Sequence, residues 1–196
     1  MITLGVTGGM GSGKTEFCNE LTKLGAFVVN ADSLAKHLMT TDPQLKLEIK
    51  EAFGSESYLP DETLNRPYLA EQAFRFDGVD RLNKIVHPRV SVETFRLQKE
   101  ALQKEFPIFV KEAALLLLNG RPDGFDKIIL IKANRRRRIK RIEKRDQISI
   151  EEIITRMNIQ QSDEELESIA DILVTNDGTL EDLKAQARKL FRDLMG

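Results

Sequence analysis

The chain has 196 residues, 41% of them hydrophobic and 31% charged, with a formal net charge of −1. That balance suits one packed α/β domain carrying an insertion or a small lid, and it excludes a global field that would favour nucleic acid or a membrane surface. A single cysteine, Cys18, excludes an internal disulfide and fits a reducing compartment, and no apolar run approaches the roughly 18 residues of a membrane span.

The apolar run Ile2-Thr3-Leu4-Gly5-Val6 reads as a strand. Gly8-Gly9-Met10-Gly11-Ser12-Gly13-Lys14-Thr15 follows and fits G-x-x-x-x-G-K-[ST], the phosphate-binding P-loop pattern. Residues 16–24 then place Phe17, Cys18, Leu21 and Leu24 at helical spacing. Strand, glycine loop and helix are the context the motif needs: the glycines let backbone N–H groups converge on one anion, and the helix adds partial positive charge at its N-terminus. Lys14 can reach the β/γ-phosphates and the Thr15 hydroxyl can hold Mg²⁺. Because the chain opens directly on strand and loop, no signal peptide is expected.

Gly25 is expected to end this helix, and Ala26-Phe27-Val28-Val29 to form a buried strand parallel to the first. Asn30-Ala31-Asp32 falls at its carboxyl end, the edge where parallel sheets bind ligands, so Asp32 is expected to face the P-loop. A carboxylate there orients an acceptor hydroxyl or takes its proton; capping a helix at 33–39 is an equal alternative on the local pattern.

From 33 to about 105 strand signals vanish and helical ones follow one another. Asp42-Pro43 caps a helix with the stripe Leu45, Ile49, Ala52 and Phe53, ending at Gly54. Asn65-Arg66-Pro67 opens another, carrying Leu69, Ala73 and Phe74. Leu82, Ile85 and Val86 lead to His87-Pro88, where the proline predicts a break before a longer helix over 89–105. This block reads as an insertion supplying a second substrate's surface.

The sheet resumes at 106–110, with Lys111-Glu112 at its tip. Glu112 is compatible with supporting Mg²⁺ through water, with a substrate contact, or with plain exposure. Residues 115–118 read as core or a hydrophobic wall, 121–124 as a turn and 127–131 as a strand. The run 135–145 holds eight basic residues and one acid. Ile139 and Ile142 give it a narrow apolar edge, so it can be a helix. It is open to three readings: a solvated face, a nucleic-acid patch, or a helix whose arginines close over a transferring phosphate. Ser149-Ile150-Glu151-Glu152 reads as a capping box for a helix with Ile150, Ile153, Ile154 and Met157, ending near Gln160, so 134–162 forms a plausible helical lid. Residues 172–175 are the last strand. Asn176-Asp177-Gly178 turns at its end, and Thr179 to Asp182 cap a final amphipathic helix.

With these landmarks the chain resembles the dephospho-coenzyme A kinase family over essentially its whole length. The resemblance rests on Gly5 to Thr15, on Asn30-Ala31-Asp32 where the family usually has D-A-D, on Leu64-Asn65-Arg66, and on Leu82-Asn83-Lys84-Ile85-Val86-His87-Pro88. It continues with Arg141 and Arg145-Asp146, with Arg156 and Gln160, and with Ala170-Asp171 through Asn176 and Gly178. It departs at Asn30, at Ala114 to Leu118 where the family has P-L-L-F-E, and at Arg138 where the family often has glutamine. The resemblance implies transfer of the ATP γ-phosphate to the ribose 3′-hydroxyl of dephospho-CoA, in the last step of coenzyme A biosynthesis.

The expected fold is a P-loop α/β domain with a parallel sheet of about five strands flanked by helices. The nucleotide-binding core is expected over 1–32 and 106–196, with an all-helical substrate-binding insertion over 33–105 and the helical lid within the core. Gly9, Gly11, Ser12, Gly13, Lys14, Thr15 and Glu16 are expected to bind ATP, with Thr15 on Mg²⁺. The resemblance adds Asn176 beside the adenine, Asp32 as general base, Arg141 as the charge-stabilising lid arginine beside Lys14, and Glu112 and His87 at the acceptor, although a structural His-Pro is a close alternative for His87. The expected partners are ATP and dephospho-CoA, with no nucleic acid and no membrane, in a cytoplasmic monomer or weak homo-oligomer. Rivals are a P-loop kinase for another small acceptor and a GTP-binding switch. Asn83-Lys84-Ile85-Val86 lacks the aspartate of the guanine-reading N-K-x-D motif, which argues against the switch.

Overall fold

The computed structural model describes residues 1–73 and 78–196; Phe74 lies outside them. The described chain divides into two compact units, 1–30 with 100–196, and 31–99.

The first unit is built on five parallel strands in the order β2-β3-β1-β4-β5. They are β1 (Ile2–Thr7), β2 (Phe27–Asn30), β3 (Ile108–Glu112), β4 (Lys127–Lys132) and β5 (Ile172–Thr175). Strands buried on both faces read as continuous apolar runs, and Ile128 to Ile131 are all fully buried. One face packs Leu4, Val6, Ile108, Val110, Ile129 and Ile131 against α1 (Lys14–Lys23) and α9 (Leu180–Met195), through Phe17, Leu21, Leu183 and Ala187. Glu20 is buried between these helices and accepts from Arg188 at 2.7 Å, so its carboxylate stays paired. The other face packs Ile128 and Leu130 against Leu117 and against Leu166 of α8 (Asp163–Glu167). Each such buried aliphatic side chain contributes about 1.5–3 kcal/mol.

Helix α1 ends as expected. Gly25, at φ +100°, donates to Thr22 O while Ala26 donates to Leu21 O, the paired bonds of a Schellman close. Helix α6 (Arg135–Asp146) is capped by Asn134, and Ile139 and Ile142 pack against Ile153 and Met157 of α7 (Ile150–Asn158). At Ser149 only half of the expected capping box forms: its hydroxyl accepts from Glu152 N, while Glu152 pairs instead with Arg156 at 2.5 Å. Full boxes form at Thr179 with Asp182, as expected, and at Ser162 with Glu165.

In the second unit α2 (Ala31–Thr41) starts directly after β2, which places Asp32 inside the first turn rather than at the cap. Asp42 caps α3 (Pro43–Phe53), accepting from Gln44 N and Leu45 N. Leu45, Ile49 and Phe53 are buried on α3. A 3₁₀ turn at Ser55–Ser57 and α4 (Arg66–Ala73) follow. The Tyr58 hydroxyl donates to Met39 O at 2.7 Å, and burial pushes its pKa up to about 12.

The expected break at His87-Pro88 is absent. A single helix, α5 (Gly78–Gln103), runs through Pro88, its last turn belonging to the first unit. An interior proline costs about 3 kcal/mol. Val86 and Val90, one turn apart around it, are both buried and recover an amount of that order. The strand expected at 106–110 is shifted to Ile108–Glu112, so Lys111 and Glu112 pair within the sheet, opposite Gly5 and Val6.

Candidate active site

The parallel topology brings the carboxyl ends of the strands of the first unit to one edge, and the side chains with chemical potential sit there. The loop 8–13 leaves β1 and enters α1 through Gly13, which has φ +103°. No side chain caps this helix, so the N–H groups of its first turn and the macrodipole are open to an anion. A β-carbon at Gly13 would lie 2.3 Å from Asn176 Nδ2, so glycine is required for both conformation and space.

Asn176, from the turn after β5, is 5% exposed and donates through Nδ2 to Ser12 O at 2.7 Å. Its own N–H donates to Lys132 O, tying the β5 turn to the end of β4. Lys14 curls over the loop and donates to Gly8 O at 2.7 Å and Gly9 O at 3.3 Å. The Thr15 hydroxyl donates to Glu112 Oε1 at 2.8 Å, across 97 residues of sequence. Glu112 is 4% exposed, which overturns the reading of it as a solvent-facing residue. Burial pushes the nearby Cys18 thiol well up, and the Glu112 carboxylate adds to the effect, so Cys18 is an unreactive core residue.

A cavity of about 350 Å³ opens over these groups, lined by Gly11, Gly13, Lys14, Thr15 and Glu16 from the loop and α1, and by Arg141, Ile142 and Arg145 from α6. The arginines of the basic run have different fates. Arg136 and Arg137 are exposed, and Arg135 donates to Asn158. Arg141 donates to Gly11 O at 3.3 Å, Asn176 O at 2.9 Å and Asn176 Oδ1 at 3.3 Å. Arg145 is held by Asp146 through two bonds of 2.6 and 2.8 Å. Arg138 is buried beneath the loop. The structure therefore gathers Gly9, Gly11, Ser12, Gly13, Lys14, Thr15, Glu16, Glu112, Arg141 and Asn176 around one loop. Asp32 and His87 belong to the second unit, where both are exposed.

Sequence reasoning gave Arg138 and Gln160 no role, yet both touch Met10. Nor did it foresee the Asn134 N–H bond to Asp177 that ties the turns after β4 and β5 together. These contacts join residues 43 to 150 positions apart, and no local pattern announces them.

An uncapped helix behind a glycine loop, with a lysine and a hydroxyl at its start and an acid at the neighbouring strand end, defines a P-loop nucleotide-binding protein. The family profile described as dephospho-CoA kinase matches residues 2–182. A dephospho-CoA kinase of Salinibacter ruber is 44% identical, covering 100% of this chain and 99% of the relative. One from Chlorobium chlorochromatii is 34% identical over 99% and 94% of the two chains. A crystal structure from Thermus thermophilus, 29% identical, aligns over 100% of this chain and 98% of its own with a TM-score of 0.81. The chain belongs to the dephospho-CoA kinase family. Among the described residues no helix is long and apolar enough to cross a membrane.

Proposed function

We propose that this protein transfers the γ-phosphoryl group of ATP to the ribose 3′-hydroxyl of dephospho-CoA, giving coenzyme A and ADP. The observation that carries the reading is the convergence of the uncapped α1 N-terminus, Lys14 and Thr15 on one cavity, with Glu112 bonded behind Thr15, in a chain of this family. The first-turn N–H groups of α1 and the Lys14 ammonium bind the β- and γ-phosphates. Asn176, behind Ser12 and Gly13, is assigned to the adenine side of the nucleotide.

The Thr15 hydroxyl and Glu112 carboxylate are oxygen donors 2.8 Å apart, which suits Mg²⁺. No group of three metal-binding side chains occurs among the described residues, so Thr15 would hold the ion directly and Glu112 through water, with phosphate oxygens completing its shell. When bound, the ion neutralises charge on the β- and γ-phosphate oxygens.

Asp32 orients the acceptor 3′-hydroxyl and takes its proton as that oxygen forms a bond to the γ-phosphorus. The bond from phosphorus to the β,γ-bridging oxygen breaks and ADP leaves. Arg141 swings from the cavity floor onto the transferring group. The α6–α7 hairpin acts as the lid, excluding water that would otherwise accept the phosphoryl. The inserted helices, with His87, hold the rest of dephospho-CoA, and the exposed Leu115 and Leu118 offer it an apolar wall.

The test is ATP consumption with magnesium and dephospho-CoA, run beside adenosine, cytidine and shikimate. Turnover with dephospho-CoA alone is expected. Turnover with another acceptor and none with dephospho-CoA would refute the assignment.

A further inference from the structure

Four arginines of the basic run lie off the cavity, and one of them is buried. Arg138 is 7% exposed, the only base of 135–145 that is buried. Its Nε donates to Met10 O at 2.9 Å, across 128 residues of sequence. Its Nη1 lies 3.4 Å from Asp163 Oδ1, at the start of α8. Its Nη2 approaches Gln160 Oε1 at 3.5 Å, and that oxygen also accepts from Met10 N at 2.8 Å. Both backbone polar groups of Met10 are thus held by side chains from beyond β4. Gly9 lies flat against the guanidinium: a β-carbon there would fall 1.9 Å from Nη2.

The phosphate-facing part of the loop, Gly11 to Thr15, follows Met10 directly. A glycine-rich loop has many accessible conformations, and ordering it around ATP costs backbone entropy at every residue. A grip on Met10 from both sides meets part of that cost during folding. The Met10 N–H is spent on Gln160 and is not a phosphate donor. Burial lowers the Arg138 pKa, with Asp163 acting in opposition.

We infer that Arg138 and Gln160 form a clamp on Met10 that holds the P-loop open for nucleotide before ATP arrives, which makes Arg138 a positioning residue rather than a phosphate ligand. The clamp also anchors the base of α6 and the segment after α7 to the loop, so the proposed lid pivots from a point fixed to the phosphate site. This rests on the kinase reading above.

Holding the loop ready favours binding of ATP and of the transition state alike, so its loss should appear in KM for ATP and not in kcat. Arg138→Met keeps bulk and removes the donors; Gln160→Met removes the second grip from a half-buried position. Each is expected to raise KM for ATP, and the dissociation constant for ATP measured without acceptor, by about tenfold, the scale of one lost charged or buried hydrogen bond. kcat should stay within about threefold, and the double variant should cost less than the product of the two, because either loss frees the same residue. Arg138→Gln keeps a donor for Met10 O without the charge and should restore KM substantially. An unchanged KM in Gln160→Met with a normal circular dichroism spectrum would overturn the clamp. So would a fall in kcat with KM constant, because Arg138 would then be touching the transferring group. Wild-type protein that binds ATP but leaves dephospho-CoA untouched would instead sink the kinase reading, while the ATP-binding arm still tests the clamp.

Discussion

Replacing Asn176 with alanine isolates one buried polar link between the last strand turn and the P-loop. The side chain is 5% exposed, its Nδ2 meets Ser12 O at 2.7 Å and its Oδ1 accepts from Arg141 at 3.3 Å. Truncation leaves the Ser12 carbonyl without its side-chain donor, a loss of about 1–3 kcal/mol. The Arg141 bond matters less, because its Nη2 keeps the Asn176 backbone carbonyl at 2.9 Å. A net destabilisation of about 2 kcal/mol in a chain of this length lowers Tm by roughly 4–8 °C. Freed from its support, the Ser12-Gly13 peptide should also raise KM for ATP. Differential scanning calorimetry and steady-state kinetics read both quantities. A Tm within about 1 °C of wild type would show that the Ser12 carbonyl finds a replacement partner and that the link is not structural. Asn176→Asp is expected to be at least as damaging, since it sets a carboxylate oxygen against that carbonyl in a buried place.

Lys14→Ala and Asp32→Asn are each expected to lower kcat by more than about a hundredfold; near-normal turnover in Asp32→Asn would remove the general-base assignment. Arg141→Ala should lower kcat more than it weakens nucleotide binding, and a change in nucleotide affinity alone would confine Arg141 to the contacts with Gly11 and Asn176. Gly13→Ala should abolish ATP binding measured by calorimetry, because φ +103° and the approach of Asn176 Nδ2 leave no room for a methyl group. Asp171 accepts from Ile128 N at 2.7 Å and from Arg121 at 2.8 Å, which hold its pKa below the usual carboxylate range. Its contribution is present above the unfolded value of about 3.9 and is lost as pH falls through the lower folded value. The Tm difference between wild type and Asp171→Asn should therefore be full at pH 6 and shrink below about pH 4; a constant difference would mean that charge plays no part.

What was legible before folding was local. The strand, loop and helix from Ile2 to Lys23 follow from a run of apolar residues, glycines at fixed offsets and helical spacing, all within a few residues of one another. The Schellman close at Gly25 and the caps at Asp42 and Thr179 were equally plain, because a cap bonds to backbone two or three residues away. Pro88 misled for the same reason: the local rule charges for a lost hydrogen bond but cannot see the burial of Val86 and Val90 that offsets it. Ser149 misled because Glu152 had a choice of partner, and Arg156 one turn later offered a charge.

By itself the sequence determined that a phosphate-binding loop sits at the start of a parallel α/β sheet, because glycine freedom, lysine placement and apolar periodicity act over short spans. Only the tertiary structure decided that Glu112 is buried against Thr15 rather than exposed, and that six arginines of similar local context divide into three exposed residues at 135, 136 and 137, one buried beneath the loop at 138, and two on the cavity wall at 141 and 145. Those outcomes depend on contacts spanning about a hundred residues or more, where the position of a side chain is set by which strands become neighbours.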